Sequence, residues 1–231
     1  MGEFWRRHRG VHCWALGVLA LFALYWWAIS SRGTANAVSG VTQALKDGYA
    51  RLWYCVPFSV VEWLYAAFIL GVLAWVAVLM HRLRTRPHRW RTAYGGLLGL
   101  ACYFLTAWGL YCLLWGVNYY ADGFQERSGV YAQPVSVEEL ERVTRDFAAR
   151  LGDLADQVER DEKGVFAVPR DDIFAASTAV YANLSRTFPF LEREDRVPKR
   201  MVFSRLFSAM NFTGFYSPYT GESNLNVDSP A

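Results

Sequence analysis

The chain has 231 residues, of which 53% are hydrophobic and 16% aromatic, and its formal net charge is +3. Residues 1–117 carry 11 Lys/Arg against 3 Asp/Glu, whereas residues 118–231 carry 13 against 18. This asymmetry argues against a single fold in one uniform environment, and the length allows one membrane unit plus one modest soluble domain. Charges of alternating sign in the acidic second half argue against nucleic acid as a partner.

Every cysteine and histidine lies in the first half, at Cys13, Cys55, Cys102, Cys112, His8, His12, His81 and His88. The second half therefore has no internal disulfide, and the cysteines are interpreted as small apolar packing residues. The sequence contains no C-x-x-C pair and no Cys/His group with the spacing of metal ligands. We expect this chain as given to bind no cofactor.

Three stretches are long and apolar enough to cross a bilayer core of about 30 Å, which requires about 20 helical residues. They run from 11 to 29, from 60 to 80 and from 93 to 117. Aromatic side chains, which favour the headgroup region, gather near their ends at Trp26, Trp27, Trp53, Tyr54, Trp115, Tyr119 and Tyr120. The sequence therefore predicts a membrane domain over residues 1–117, with the lipid bilayer as its partner.

The arginines predict the orientation of these spans. One group precedes the first span and another fills the link between the second and third, comprising Arg6, Arg7, Arg9, Arg82, Arg84, Arg86, Arg89 and Arg91. The link between the first two spans carries Arg32, Lys46 and Arg51, with Asp47 against them. Because cytoplasmic loops are enriched in Lys and Arg, we expect a cytoplasmic N-terminus in a plasma or inner membrane and an extracytoplasmic second half.

The first span has a second interpretation. Its basic start, its apolar run and Ala35-Asn36-Ala37 resemble a signal peptide with a small-residue cleavage site. The apolar run is longer than the usual ~7–15 residues of a signal peptide, which favours a retained anchor. Either outcome leaves the expected location of the second half unchanged, because the other two spans still set it.

Glu62 is the one Asp, Glu, Lys or Arg inside a predicted span. Charge in lipid is costly, so Glu62 is a candidate ion or proton relay, and a small transporter or proton-linked sensor is one hypothesis. The alternative is that Glu62 lies within one helical turn of the outer surface and reaches polar groups there. The lack of a second charged residue in any span favours this alternative.

The link over residues 33–55 has its own pattern. Val38, Val41, Leu45 and Leu52 recur near helical spacing, with charged residues between them. This pattern predicts a short amphipathic helix lying on the outer leaflet.

The strongest helix signal in residues 118–231 begins at Ser136. Ser136 and Glu139 have the spacing of a capping box, and apolar residues follow at steps of three and four. We expect this helix to end near Asp161, before Lys163, and to pack its apolar stripe on a partner surface.

A second helix is expected to open at Asp171 or Asp172 and to end near Thr187, before a proline. A charged connector follows over 191–200, with Glu192, Arg193, Glu194, Asp195 and Arg196.

The last thirty residues are predicted to contain strands. Residues 201–204 have the composition of a strand, and 212–222 are dense in aromatic and turn-forming residues. Residues 223–227 alternate polar and apolar, which favours a β-hairpin packed on the two helices. The predicted fold class is therefore an α-helical membrane protein with three transmembrane helices, followed by a small, incomplete α+β extracytoplasmic domain.

Several separated strings, in order, resemble one family of bacterial membrane proteins: a domain of unknown function with a zinc-metallopeptidase-like outer domain. The strings are Pro57-Phe58-Ser59-Val60-Val61-Glu62, Trp115-Gly116-Val117-Asn118-Tyr119-Tyr120, Phe203-Ser204, Gly214-Phe215-Tyr216-Ser217-Pro218-Tyr219-Thr220-Gly221-Glu222 and Asn224-Leu225-Asn226. Each string is modestly specific, and the ordered set carries the resemblance.

The resemblance implies a helix bearing H-E-x-x-H shortly after the final strand, with zinc as the cofactor of an intact member. In this motif two His one turn apart bind zinc, and the Glu polarises the metal-bound water. The sequence stops at Ala231 and has no histidine after His88. We therefore expect a fragment or truncated product that ends before the catalytic helix and is catalytically incompetent by itself.

Upstream of that motif, residues 223–227 are expected to align an extended peptide substrate by main-chain pairing. The candidate cleft-lining residues are Tyr216, Thr220, Glu222, Asn224 and Asn226. Aromatic packing and turn chemistry are the alternative role for these residues. A second hypothesis for the whole chain is a non-enzymatic, membrane-tethered binding or assembly module that presents its amphipathic helix.

Overall fold

A computed structural model of the protein describes residues 2–162, 164, 167, 169–192, 194 and 196–228. The described chain is mostly helical, with a small three-stranded sheet. It divides into two compact units: a helical unit of Met1–Asp122 with Tyr216–Glu222, and a second unit of Gly123–Phe215 with Ser223–Ala231.

The helices of the first unit are α1 (Gly2–Arg7), α2 (Arg9–Ala28), α3 (Arg32–Trp53), α4 (Val60–Thr85) and α5 (Arg89–Leu114), followed by a 3₁₀ turn at Gly116–Tyr119. Those of the second unit are α6 (Phe124–Ser128), α7 (Val137–Ala155), α8 (Arg170–Leu184) and α9 (Ser204–Ala209), with a 3₁₀ turn at Pro189–Leu191. The strands are β1 (Lys199–Arg200), β2 (Gly214–Tyr216) and β3 (Ser223–Leu225).

Three helices are long and apolar enough to cross a membrane, and they coincide with the three predicted spans. These are α2, α4 and α5. Large apolar side chains such as Leu19 on α2, Leu70 on α4 and Trp108 on α5 are exposed on their surfaces. A soluble bundle would bury most of these groups, so lipid is the environment that suits the helices.

The packing of the three helices depends on glycines. A methyl group added at Gly96 would lie 2.2 Å from a Leu79 carbon, and one at Gly99 would lie 2.5 Å from the Trp75 ring. The Trp75 indole also donates to the Gly96 carbonyl at 3.0 Å. Small residues therefore let α4 and α5 approach closely as an antiparallel pair.

Helix α2 runs parallel to α5. The Nε2 atom of His8 lies 3.0 Å from the Arg91 carbonyl oxygen at the start of both helices. Further along, the Leu21 side chain packs over Gly109. The N-terminus of α2 and the short link between α4 and α5 consequently lie at the same end of the helical unit.

The amphipathic helix predicted in the link is present as α3, and its location on the outer leaflet stays a prediction. It begins with a capping box between Ser31 and Thr34 and extends for 22 residues. One face is buried and contains Thr42 and Lys46, whereas the other exposes apolar side chains such as Leu45.

The second unit confirms the two predicted helices with shorter ends. The capping box of Ser136 with Glu139 starts α7, which ends at Ala155, earlier than expected. Helix α8 begins one residue before Asp171 and ends at Leu184. Lys163 in the expected helix end, and Arg193 and Asp195 in the charged connector, lie outside the described residues.

The strand predicted at 201–204 is wrong. The ladder residues are Lys199 and Arg200, and Ser204 instead starts α9. The chain leaves the sheet there because the Ser204 hydroxyl donates back to the Met201 carbonyl at 2.8 Å, which closes a turn.

The predicted hairpin is confirmed, whereas its packing on the two helices stays a prediction. Strand order is β1-β3-β2, with β1 parallel to β3 and Lys199 opposite Asn224. The amides of Ser217 and Asn226 donate to the carbonyls of Glu222 and Thr213, both at 2.9 Å, which fixes β2 and β3 as an antiparallel pair. Strand β3 is therefore central and lies between two neighbours.

Candidate functional site: a buried polar loop

The tip of the hairpin, Tyr216–Glu222, belongs to the helical unit. We call it the polar loop. Its turn is closed by the Gly221 amide, which donates to the Ser217 carbonyl at 2.8 Å, and by the Thr220 amide, which donates to the Ser217 hydroxyl at 3.3 Å. Ser217, Thr220 and Glu222 are fully buried. Polar residues in this number inside an apolar helical unit require specific partners.

The carboxylate of Glu222 caps the N-terminus of α4. It accepts hydrogen bonds from the backbone amides of Val60 at 3.3 Å and Val61 at 3.1 Å. The first amides of a helix have no partner within the helix, and the helix dipole favours an anion there. Glu222 therefore replaces the side chain of the N-cap residue Ser59, which makes no capping bond.

Lys46 stabilises a helix C-terminus, that of α5. Lys46 is only 2% exposed. Its ammonium group donates to the carbonyl of Leu114, the last residue of α5, at 3.0 Å. The same group lies 5.9 Å from the centre of the Tyr216 ring, close enough for a cation–π interaction. A cation at a helix C-terminus complements the dipole, so α3 and the polar loop together complete the end of α5.

Two tyrosines tie the polar loop to the helices. The Tyr49 hydroxyl on α3 donates to the Pro218 carbonyl at 3.0 Å, and the Tyr219 hydroxyl donates to the Ala107 carbonyl on α5 at 3.1 Å. Burial raises the pKa of Tyr49 to about 12, and the nearby Tyr216 makes a smaller contribution in the same direction. Tyr49 therefore stays neutral and able to donate across the physiological pH range.

Gly221 permits the close approach of the loop to α3. Its φ angle is +69°, and an added methyl group would lie 3.0 Å from the Ala50 Cβ and 3.1 Å from the Lys46 carbonyl oxygen. Only glycine adopts this backbone conformation without strain and leaves the space that α3 occupies.

Two hydroxyls at the site have no hydrogen-bond partner among the described residues: Ser59 Oγ and Thr220 Oγ1, both fully buried. Buried hydroxyls in folded proteins are normally paired. These are the groups of the site that remain available to a small polar molecule.

Glu62 is the third residue of α4 and is 2% exposed. It follows Val61, whose amide contacts Glu222. Glu62 therefore lies in the first turn of α4, while its location near the outer surface and its chemical role stay predictions.

The five candidate cleft residues fall into two groups. Tyr216, Thr220 and Glu222 belong to the polar loop, whereas Asn224 and Asn226 belong to the second unit. The Asn226 side chain donates to the Ser208 hydroxyl at 2.8 Å and to the Phe212 carbonyl at 2.7 Å. These contacts give Asn226 a role in holding the hairpin base, and a role in substrate binding stays a prediction.

The alignment role expected for 223–227 conflicts with the sheet order. Residues 223–225 form the central strand, whose main-chain groups pair with β1 on one side and β2 on the other. An extended peptide can add only at a free strand edge. Main-chain pairing with a substrate would therefore have to use β1 or β2.

The residues that the structure describes do not fit a zinc centre. No histidine or cysteine occurs after Cys112, and the described residues contain no group of three potential ligands. The buried carboxylate of Glu222 is already engaged by the α4 amides. No reaction step through a metal can be derived from this chain.

Sequence reasoning missed Lys46, Tyr49 and Ser59. Lys46 did carry a signal, because it is the only lysine in residues 1–117, where every other basic residue is arginine or histidine. Tyr49 carried none, because its partner, the Pro218 carbonyl, is 169 positions away in sequence. Ser59 lies in one of the strings of the resemblance, but no local pattern marks its hydroxyl as buried and without a hydrogen-bond partner among the described residues.

Three apolar helices of membrane-spanning length, closed at one end by a buried polar loop, define a helical membrane protein. The chain belongs to the family described as Protein of unknown function (DUF3810), whose model matches residues 38–231. The match begins within α3 and covers every string on which the resemblance rested. Comparison with curated proteins gives no match, and neither does comparison with solved structures.

Proposed function

We propose that the intact protein is a membrane-anchored zinc metallopeptidase and that this chain is its front portion, which anchors and positions the hairpin. One observation carries the proposal. Three separated strings of the family resemblance meet in one buried site: the start of α4, the end of α5 and the polar loop. Sequence features that converge in space are those expected to support a common function.

In this proposal, the present chain and the portion that would follow it have different roles. In the intact protein, the two His of an H-E-x-x-H helix would hold zinc, and zinc held there would supply a polarised water for peptide hydrolysis. The residues of this chain supply position: Glu222 and Tyr219 fasten the polar loop to α4 and α5. A catalytic constellation needs such rigid support, because misplacement by about 1 Å lowers rates strongly.

The proposal includes the orientation. The arginines that precede α2 and fill the α4–α5 link favour the cytoplasm, so the second unit lies outside it, with α3 on the outer leaflet. The apolar side chains that α3 exposes, Val41, Leu45 and Leu52, suit this location. A peptide substrate would then be met outside the cytoplasm.

The first test is the coding sequence beyond codon 231. An H-E-x-x-H motif in frame within a few tens of codons supports the proposal, and a natural stop without such a motif in any frame overturns it. The second test compares the longer product with its motif Glu→Gln variant on casein. Chelator-sensitive cleavage by the first and none by the second is the expected result.

The second candidate function, a non-enzymatic assembly module, is favoured by α7. Its apolar stripe is 47–76% exposed along the whole helix, at Val137, Leu140, Val143, Phe147, Leu151 and Leu154. The helix itself carries five acidic and three basic residues, whereas helices that lie on membranes are rich in Lys and Arg. A protein surface therefore suits the stripe better than lipid.

A second copy of α7 is a suitable partner. In an antiparallel pair, Val137 would face Leu154 and Leu140 would face Leu151, because the stripe repeats at steps of three and four. The test is the mass of the detergent-solubilised chain. We expect a dimer that becomes a monomer with Leu140→Gln and Leu151→Gln, while Glu141→Gln as control remains dimeric. A monomeric wild-type chain would exclude this candidate.

A further inference from the structure

Two groups of arginines, far apart in sequence, lie at one end of the helical unit. The contact between His8 and the Arg91 carbonyl at 3.0 Å brings the N-terminal segment onto the start of α5. We call the combined surface the arginine end; its members are Arg6, Arg7, Arg9, Arg82, Arg84, Arg86, Arg89 and Arg91.

The arginine end carries a strong positive charge. All eight arginines are exposed, and none forms an ion pair with any residue that the structure describes. Glu3 is the one acidic residue in the segments 2–10 and 81–91. Eight like charges in one place repel one another, so the surface favours an anionic partner.

The location of the arginines indicates which anion. Arg9 begins α2, Arg84 lies in the last turn of α4 and Arg89 begins α5, so the side chains are fixed at the ends of three candidate spans. Trp5 and Trp90 lie among them and are 56% and 82% exposed. Exposed tryptophan beside arginine at a span end is typical of the headgroup zone.

We propose that the arginine end binds the phosphates of anionic phospholipid headgroups, and that bound lipid holds the N-terminus of α2 against the α4–α5 link. Guanidinium groups pair with phosphate through two parallel hydrogen bonds. Phosphates between the two arginine groups offset their repulsion and add to the contacts that His8 and His12 already make with the start of α5. This inference is independent of the proposed enzymatic function.

The lipid test uses the full chain in nanodiscs of phosphatidylcholine mixed with phosphatidylglycerol. Native mass spectrometry then counts the lipids of each class that remain bound after release into detergent. We expect strong enrichment of phosphatidylglycerol over its share of the bilayer, and loss of that enrichment in high salt, which screens exposed charges. Equal retention of the two lipids by the wild-type chain would overturn the proposal.

The mutational test removes three exposed arginines: Arg82→Gln, Arg84→Gln and Arg86→Gln together. Each arginine near a membrane surface contributes about fivefold to anionic-lipid affinity, so the triple variant should lose on the order of a hundredfold. The matched control removes the same charge from α7 of the second unit, with Arg142→Gln, Arg145→Gln and Arg150→Gln, and should retain the lipid.

Two further arms keep the result interpretable. Lysine at 82, 84 and 86 retains the charge and should recover part of the enrichment. If the triple Gln variant fails to insert, the salt dependence of the wild-type chain still decides the question. Displacement of the lipid by a soluble oligonucleotide at matched phosphate concentration would identify a different polyanion as the ligand and overturn the proposal.

Discussion

The carboxylate of Glu222 accepts a hydrogen bond from the backbone amide of Val61 across 161 positions of sequence, at a distance of 3.1 Å. A hairpin loop thereby supplies the N-cap of a helix of membrane-spanning length. The contacts of the polar loop and its neighbours can be tested one residue at a time by substitution.

Replacing Glu222 with Ala should destabilise the helical unit by about 1–3 kcal/mol, because two buried amides at the start of α4 lose their acceptor. The measurement is the midpoint of thermal unfolding of the full chain in detergent. As the control, Glu141→Ala removes an exposed carboxylate of α7 and should change the stability by less than about 0.5 kcal/mol. Equal effects of the two substitutions would refute the capping role.

Replacing Lys46 with Met should also destabilise the unit by about 1–3 kcal/mol, since the buried Leu114 carbonyl loses its donor. Arginine at this position keeps the charge and a donor and should recover part of the loss. Limited proteolysis near residues 114–120 is the direct readout, because the end of α5 frays when its cap is removed. A variant with unchanged cleavage there would contradict this assignment.

Gly221 and Gly129 form a matched pair for Ala substitution. Both have positive φ angles, +69° and +71°, but only Gly221 has neighbours within 4 Å. Gly129→Ala should cost about 1 kcal/mol from backbone strain alone, whereas Gly221→Ala adds a clash with α3 and should cost clearly more. Unfolding midpoints of the two variants give the comparison. If both lose the same stability, the loop does not press against α3 as described.

The Tyr49 phenol should ionise late. Since its pKa is raised from 10 to about 12, the stability linked to its neutral form is present below pH 10 and is lost as the pH rises through about 12. The ultraviolet titration difference between the wild-type chain and Tyr49→Phe isolates this group. A difference curve with its midpoint near pH 10 would show that Tyr49 is solvated, and would remove its hydrogen bond to Pro218.

Local sequence signals predicted local structure well. Span length and apolar content located α2, α4 and α5, and a capping box located the start of α7, because each depends on residues within a few turns of one another. The strand expected at 201–204 was wrong, because its composition suited a strand but the Ser204 hydroxyl closes a turn with the Met201 carbonyl instead.

The candidate residues of the polar loop were located from the family resemblance, yet their partners were not predictable. The acceptor role of Glu222 depends on the free amides of α4, and the donor role of Lys46 depends on the end of α5. Such pairs have no sequence periodicity, because they join helix ends that only packing brings together.

The sequence by itself therefore determined three stretches of membrane-spanning length, the two arginine groups and a second half without histidine or cysteine. Length, hydropathy and charge are sums over neighbouring residues, so no fold is needed to evaluate them. The tertiary structure decided that the two arginine groups share one end, that β3 is central, and that the polar loop belongs to the helical unit. Each of these features depends on contacts between residues that are distant in sequence. Such contacts become favourable only after the helices have packed, because packing buries helix-end groups that then need a partner.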